Sequence, residues 1–317
     1  MITENPQYKH RISPAAQFIT FCAVAFGLIL AGNFIALGII YLMHGMDTVQ
    51  LIMSLDLNTP AAVQSLWILQ IVGTTLPILF TPIVFGKFIM HETHAYLRTD
   101  TRIFPIALVM IFFIMAASTP IMEVLITLNQ KMQLPEFLKG LENWMRNSEN
   151  MAQKATSVIL KMDTWVDLVK VLFLVALVTA VAEELMFRGC LQTILLRWTN
   201  STHLAIWITA ALFSAFHMEF FGFLPRLMLG VFFGYFTAWT GSVWPAVWAH
   251  FLNNGTAVLT TYLYNHKIIK LNLNDQNTFS YGSYIFSVII TVILFWAYRK
   301  TAYEKKHLPI VDGKKLG

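Results

Sequence analysis

The stretch VDLVKVLFLVALVTAVAEELMFRGCLQTILL, residues 166–196, decides the reading of this chain. Up to Ala182 its only charges are Asp167 and Lys170, close to its start. Such a run supplies the ~20 mainly apolar residues that a helix needs to cross a ~30 Å hydrocarbon core. It then places Glu183, Glu184 and Arg188 where a spanning helix should stay apolar. Ionisable residues at such positions are costly and usually face a bundle interior or a watery cavity. One segment thus implies both a membrane fold and a polar site within it.

The rest of the chain agrees. Of its 317 residues, 56% are hydrophobic and 12% charged, and the mean hydropathy is +0.60. A soluble domain has about 25% charged residues, so lipid must cover much of this surface. The segments 15–43, 63–90, 103–128, 166–188, 204–218, 225–240, 243–264 and 278–299 are the candidate spans. The fifth and sixth are short enough to be tilted or to cross only in part. The expected fold is an all-α polytopic bundle of about eight transmembrane helices. Three parts are expected along it: 1–165 with three helices and a polar connector, 166–264 as the functional core, and 265–317 as a last helix and basic tail.

The formal net charge is +5, which by itself would allow nucleic acid as a partner. Its placement argues for the bilayer instead. Arg299, Lys300, Lys305, Lys306, Lys314 and Lys315 follow an apolar run, as cytoplasmic flanking charge does beside anionic lipid. No nucleic-acid-binding motif is present. Lys9, Arg11, Arg98, Arg102 and Arg197 fall on the same side as the tail, whereas segment 44–62 has no Lys or Arg. Both termini are therefore expected in the cytoplasm, with the integral protein in a bacterial cytoplasmic membrane. Lys267, Lys270 and the Lys-rich connector run against this bias. Cys22 and Cys190 read as small buried hydrophobes.

The connector 129–165 mixes charges with Leu, Trp144 and Met. An amphipathic helix or hairpin that could cap a site is one reading, and a solvated linker the other. Gly230 and Gly234 form a GxxxG, a spacing that lets membrane helices approach closely. That is a packing signal without chemical content.

The chemistry-bearing residues gather in the second half. Glu184 and Arg188 are four apart and share a helix face, so they can pair. Glu183 lies about 100° away and is not neutralised by Arg188, which suits a general base. His250 and Asn254 are also four apart, and His217 comes from a third helix. A carboxylate and an imidazole would activate water, and an imidazole with an amide would donate to an oxyanion. The spans create a depth conflict, with Glu183 near the inner end of its helix and His217 near the outer end of the next. Extending the fourth helix through the apolar run Cys190–Leu196 would relieve it. Taken singly, each residue has a structural explanation: a helix-end salt bridge, an interhelical hydrogen bond, packing by an amide. Together, in helices otherwise nearly all apolar, they favour a functional site.

EExxxR at Glu183–Arg188, FxxxH at Phe213–His217 and HxxxN at His250–Asn254 resemble the three ordered motifs of the CPBP family. These are the CAAX-prenyl-protease and bacteriocin-processing intramembrane peptidases, also called the Abi family. The resemblance covers about residues 166–260 and implies an intramembrane endopeptidase acting on a membrane-associated protein or peptide, prenylated or leader-bearing. It implies Glu183 as the base that activates water, assisted by His217. His250 and Asn254 would hold the water or stabilise the oxyanion. Glu184 and Arg188 would support the site, with Phe213 as part of its motif. Glu183, His217 and His250 could also hold a divalent metal such as zinc, whose catalytic sites use three protein ligands plus water. A metal-free Glu/His mechanism accounts for the same residues and is the preferred expectation. The site is expected to open toward the inner side or the membrane plane.

A transporter, or a non-catalytic scaffold or immunity protein, are the rival functions. No repeat of the two halves supports the first, and binding alone would not need Glu183 and His217 together. His91-Glu92-Thr93-His94 is one residue short of HExxH and reads as a solvated turn. Gly241-Ser242 reads as a turn before Trp244-Pro245, and Glu123 carries no assignment.

Overall fold

A computed structural model describes residues 12–99, 105–270 and 279–304. Lys9, Arg11, Arg102 and the tail from Lys305 onward, which helped to set the expected orientation, lie outside the described residues. Ten helices and short 3₁₀ turns, with no strand, make up the described residues. The helices are α1 (Pro14–Met53), α2 (Pro60–Ile89), the short α3 (Thr93–Leu97), α4 (Pro105–Gln130), α5 (Lys139–Ile159), α6 (Trp165–Thr199), α7 (Thr202–Phe216), α8 (Phe223–Thr240), α9 (Trp244–Asn265) and α10 (Tyr281–Glu304). Apart from α3 and α5, these are the eight expected apolar segments in order. Six of them are long and apolar enough to span a membrane, and the protein is an integral membrane protein. The two outside that set are α7, which is too short, and α9, which carries His250, Asn253 and Asn254.

The ends follow local chemistry. Ser13, Thr59, Thr164 and Ser201 cap α1, α2, α6 and α7 through their side-chain oxygens. Asn200 and Gly241 close α6 and α8 in the left-handed conformation. The first helix runs past its expected end at Met43 to Met53, with a break at Gly45 (φ 81°).

Lipid tails are as apolar as leucine, so helix association relies on close packing and interhelical hydrogen bonds. Between α1 and α2, a Cβ on Gly32 would stand 2.5 Å from Pro77 Cγ, and Asn33 Nδ2 donates to Gly73 O at 2.9 Å. Between α7 and α8, a Cβ on Gly230 would meet Ala210 Cβ at 3.0 Å, and one on Gly234 would meet Ile206 Cγ2 at 2.7 Å. The GxxxG is therefore a packing face, as its spacing predicts.

The depth conflict is resolved as the apolar run after Gly189 suggests. α6 continues to Thr199, which puts Glu183 near the middle of its 35 residues. α7 has 15 residues, and Thr199 lies 15 residues beyond Glu184. The chain thus leaves the depth of Glu184, turns at Asn200 and climbs back to it at His217. There it reverses again, and α8 descends parallel to α6. A half-length α7 is what levels His217 with Glu183.

The tip of the α7–α8 hairpin, 217–222, is a partly buried backbone turn, with Met218 exposed at φ 56°. Polar side chains from two other helices secure it. Asn129, at the end of α4, donates to Phe220 O at 3.0 Å and accepts from Leu224 N at 2.6 Å. Glu149 of α5 accepts from Phe221 N at 2.8 Å. Irregular backbone at membrane depth is tolerated where protein buries it and satisfies its polar groups. The connector is thus an amphipathic helix packed over the site, with Trp144 against Phe220 and Arg146 over the Phe221 ring.

Candidate active site

A buried polar cluster lies beneath a cavity, and both start from α6. Arg188 and Glu184 have fully buried side chains and pair at 2.7 Å from Nη1 to Oε1. Arg188 Nη2 donates to Gly230 O at 3.0 Å, and Gln192 Nε2 donates to Gly234 O at 3.2 Å. Both glycine carbonyls, laid bare by missing side chains, thereby serve α6. The GxxxG was expected to carry packing alone, and this second use corrects that reading. The guanidinium sits between aromatic rings, 4.5 Å from the Phe213 centroid and 5.2 Å from that of Phe233.

His250 joins the cluster from α9. Its Nδ1 lies 2.8 Å from Glu184 Oε1, and its ring stacks on Phe233 at 5.2 Å. A carboxylate oxygen already paired with Arg188 accepts there, so the Nδ1 proton belongs to His250. In the neutral ring Nε2 then carries a lone pair. His217 arrives at the same state by another route. Its Nδ1 lies 2.8 Å from the Phe213 carbonyl, which only accepts, so its Nε2 also carries the lone pair. Phe213 edges both rings, at 4.9 Å from His217 and 5.9 Å from His250.

Glu183 faces these two nitrogens. Its Oε2 is 3.7 Å from His217 Nε2 and 3.9 Å from His250 Nε2, and it has no hydrogen-bond partner. These separations exceed a direct hydrogen bond. Three acceptors from three helices thus converge on one point, which calls for a donor between them. Asn254 lines the same cavity. Its Oδ1 accepts from Asn253 Nδ2 at 3.2 Å, which leaves its own amide hydrogens to donate into the space.

The cavity holds about 570 Å³. Gln70, Gln130, Glu149, Thr156 and Thr179 line it beside the site residues. All the sequence-predicted residues come together: Glu183, Phe213, His217, His250 and Asn254 on its wall, and Glu184 with Arg188 behind it. Sequence reasoning missed Phe233, Gln192, Asn129, Glu149 and the Glu219–Arg226 ion pair at the hairpin tip. Of these, the Glu219–Arg226 pair carried a signal, being charges between two apolar runs.

As donor set, one carboxylate and two imidazole nitrogens suit zinc. A tetrahedral site with bonds of about 2.0–2.2 Å puts its ligand atoms about 3.3–3.6 Å apart, a few tenths of an ångström less than the 3.7 and 3.9 Å from Glu183 to the two histidines. Among the described residues no group of three His, Cys, Asp or Glu has a metal site's arrangement. His94, in the decoy motif, is exposed and pairs with Thr99 Oγ1 at 3.0 Å.

The cavity is bounded by α5, the end of α4 and the middle turns of α9, on the face opposite the Asn200 turn.

Helices this apolar, enclosing a carboxylate, two imidazoles and an arginine at mid-depth, define a class: a polytopic membrane protein with a polar site in its core. Within that class, residues 165–256 match the family described as type II CAAX prenyl endopeptidase Rce1-like, consistent with the CPBP resemblance. The match runs from the first turn of α6 to just beyond Asn254, so it takes in all three motifs. No curated protein and no solved structure matches the chain.

Proposed function

We propose that this chain is an intramembrane endopeptidase that hydrolyses a peptide bond of a membrane-associated protein or peptide with water activated by Glu183. The observation that carries the proposal is the convergence of Glu183 with two imidazole nitrogens that can only accept. Water placed there donates one proton to Glu183 and the other to a histidine Nε2, and its oxygen lone pair points at the substrate carbonyl. Glu183 takes a proton as the oxygen–carbon bond forms, and the carbonyl becomes an oxyanion. Asn254 donates to that oxyanion through Nδ2. Collapse breaks the C–N bond, and the proton on Glu183 passes to the leaving amine, restoring the carboxylate.

Glu184 and Arg188 act through His250. They hold its Nδ1 proton in place and keep Nε2 turned to the cavity. The family match supports a CAAX-type endopeptidase reading, and a prenylated or leader-bearing substrate fits the cavity's mixture of apolar and polar walls. In this reading the protein sits in a bacterial cytoplasmic membrane with both termini inside.

The test is cleavage of a panel of membrane-tethered peptides by purified wild-type protein, Glu183→Gln and His217→Ala, with and without chelator. Wild-type cleavage that both folded variants lose and chelator leaves intact is the expected result. Loss on chelation would bring a metal into the mechanism. Variants that cut like the wild type would move the site elsewhere, and solute flux into proteoliposomes without cleavage would favour a transporter.

A further inference from the structure

The amide of Asn254 can serve an oxyanion only if its direction is fixed. A primary amide carries an acceptor on one side and two donor hydrogens on the other, and its terminal torsion is broad and roughly two-fold. Turned one way, Asn254 offers Nδ2 to the cavity. Turned the other way, it offers Oδ1, which an oxyanion would repel. Among the described residues, the hydrogen bond that decides between the two comes from Asn253, whose Nδ2 donates to Asn254 Oδ1 at 3.2 Å.

Successive residues on a helix point about 100° apart, so such a bond forms only where both side chains lean to the same side. Asn253 and Asn254 both line the cavity that holds Glu183, and both are half-buried. They lie on α9 about one turn beyond His250. The HxxxN spacing takes in His250 and Asn254 and leaves position 253 open. The site already uses one such device: Glu184 accepts from His250 Nδ1 and so presents Nε2 to the cavity. There an acceptor fixes a ring, and here a donor fixes an amide. Donors set in place before charge develops cost no reorganisation during reaction.

We infer that Asn253 is a positioning residue: by donating to Asn254 Oδ1 it holds that amide with Nδ2 turned to the cavity. The pairing of the amides stands on geometry; its consequence for the oxyanion rests on the proposed peptidase reading.

Exchanging the donor for an acceptor of the same shape tests this. At pH about 8, far above an ordinary Asp pKa of about 3.9, the side chain of Asn253→Asp only accepts. Asn254 must then turn to give it Nδ2, which presents Oδ1 to the cavity. Two readouts are taken on the purified full chain in detergent. The first needs no turnover. In protein labelled with ¹⁵N-asparagine, the Asn254 Nδ2 resonance, assigned by its absence in Asn254→Ala, is expected to move downfield in Asn253→Asp. An unmoved resonance would overturn the inference. The second is kinetic, on a membrane-tethered peptide that the wild type cleaves and Glu183→Gln does not. Asn253→Asp is expected to lower kcat by about 10²–10³-fold, the loss that follows removal of one oxyanion donor, with KM and thermal unfolding close to the wild type's. Asn253→Ala frees the amide without turning it and is expected to lose less. In an Asn254→Ala background, Asn253→Asp should cost nothing more, because residues that act as a unit are not additive. A further loss in that background would mean that the added charge acts on Glu183 directly, and would overturn the positioning role; so would a wild-type kcat in Asn253→Asp. If no peptide is cleaved, the peptidase reading fails, and the resonance alone then decides whether Asn253 sets the amide.

Discussion

Glu183 and Glu184 follow each other on α6, yet their carboxylates live in different surroundings. Glu184 is fully buried and lies in an ion-paired cluster: Arg188 and His250 share its Oε1, its Oε2 and Arg188 Nε have no hydrogen-bond partner, and aromatic rings cover the guanidinium. Glu183 is turned into the cavity, and its Oε2 has no partner. A buried ion pair costs desolvation and contributes little net stability, but removing one member leaves an uncompensated charge. A carboxylate left without donors beside a cavity is instead poised to take a proton. In the proposed mechanism, adjacent positions on one helix thus separate a structural role from a chemical one, and each can be broken alone.

The largest structural effect is expected at the ion-paired half. Arg188→Met should destabilise the protein by about 3–5 kcal/mol, because the buried Glu184 loses its cation and Gly230 O its Arg188 donor. Thermal unfolding in detergent measures this. Arg188→Lys should recover only part of the loss, since an ammonium cannot reproduce the planar fork that reaches Glu184 and Gly230 together.

A smaller effect is expected where α8 packs. Gly234→Ala puts a Cβ 2.7 Å from Ile206 Cγ2 and 3.0 Å from Gln192 Oε1, so the helices must shift. The expected cost is about 1–3 kcal/mol. The same unfolding assay checks it, and a change in activity larger than the change in stability would show that α8 also positions the site.

The smallest effect concerns the connector and is read by pH. Glu142 accepts from Arg146, from Leu134 N and from Lys139, and Arg146 foremost holds its carboxyl down at about 2 from an ordinary 4.5. A depressed carboxylate contributes stability above its unfolded value and loses it as pH falls through the folded one. The packing of Trp144 on Phe220 should therefore hold at neutral pH and loosen between about 4.5 and 2. Trp144 fluorescence follows it, and Glu142→Gln should abolish the dependence in that window.

Much of the fold was legible because a spanning helix has one requirement, length in apolar residues, and the chain meets it in order. The site was legible because charge is rare in such helices, so Glu183, Arg188, His217 and His250 stand out. What stayed hidden depends on relations that no single segment carries. Phe233 is one phenylalanine among 25 until α8 brings it under His250. The carbonyls of Gly230 and Gly234 become acceptors only when α6 runs beside them. α6 also widens into a π-helical turn over Leu185–Leu191, immediately after Glu184. Such turns are frequent at functional sites and leave no mark in hydropathy. The position of α5 over the site was likewise hidden, since the sequence left the connector open between a cap and a linker.

The central claim is that Glu183 serves chemistry while Glu184 serves structure. It is tested most directly by measuring peptide cleavage and thermal unfolding of Glu183→Gln in one preparation. The account predicts unfolding like that of the wild type and cleavage lowered by about 10²–10⁴-fold, the contribution of a general base. Cleavage retained in the folded variant, or lost only together with folding, would contradict it.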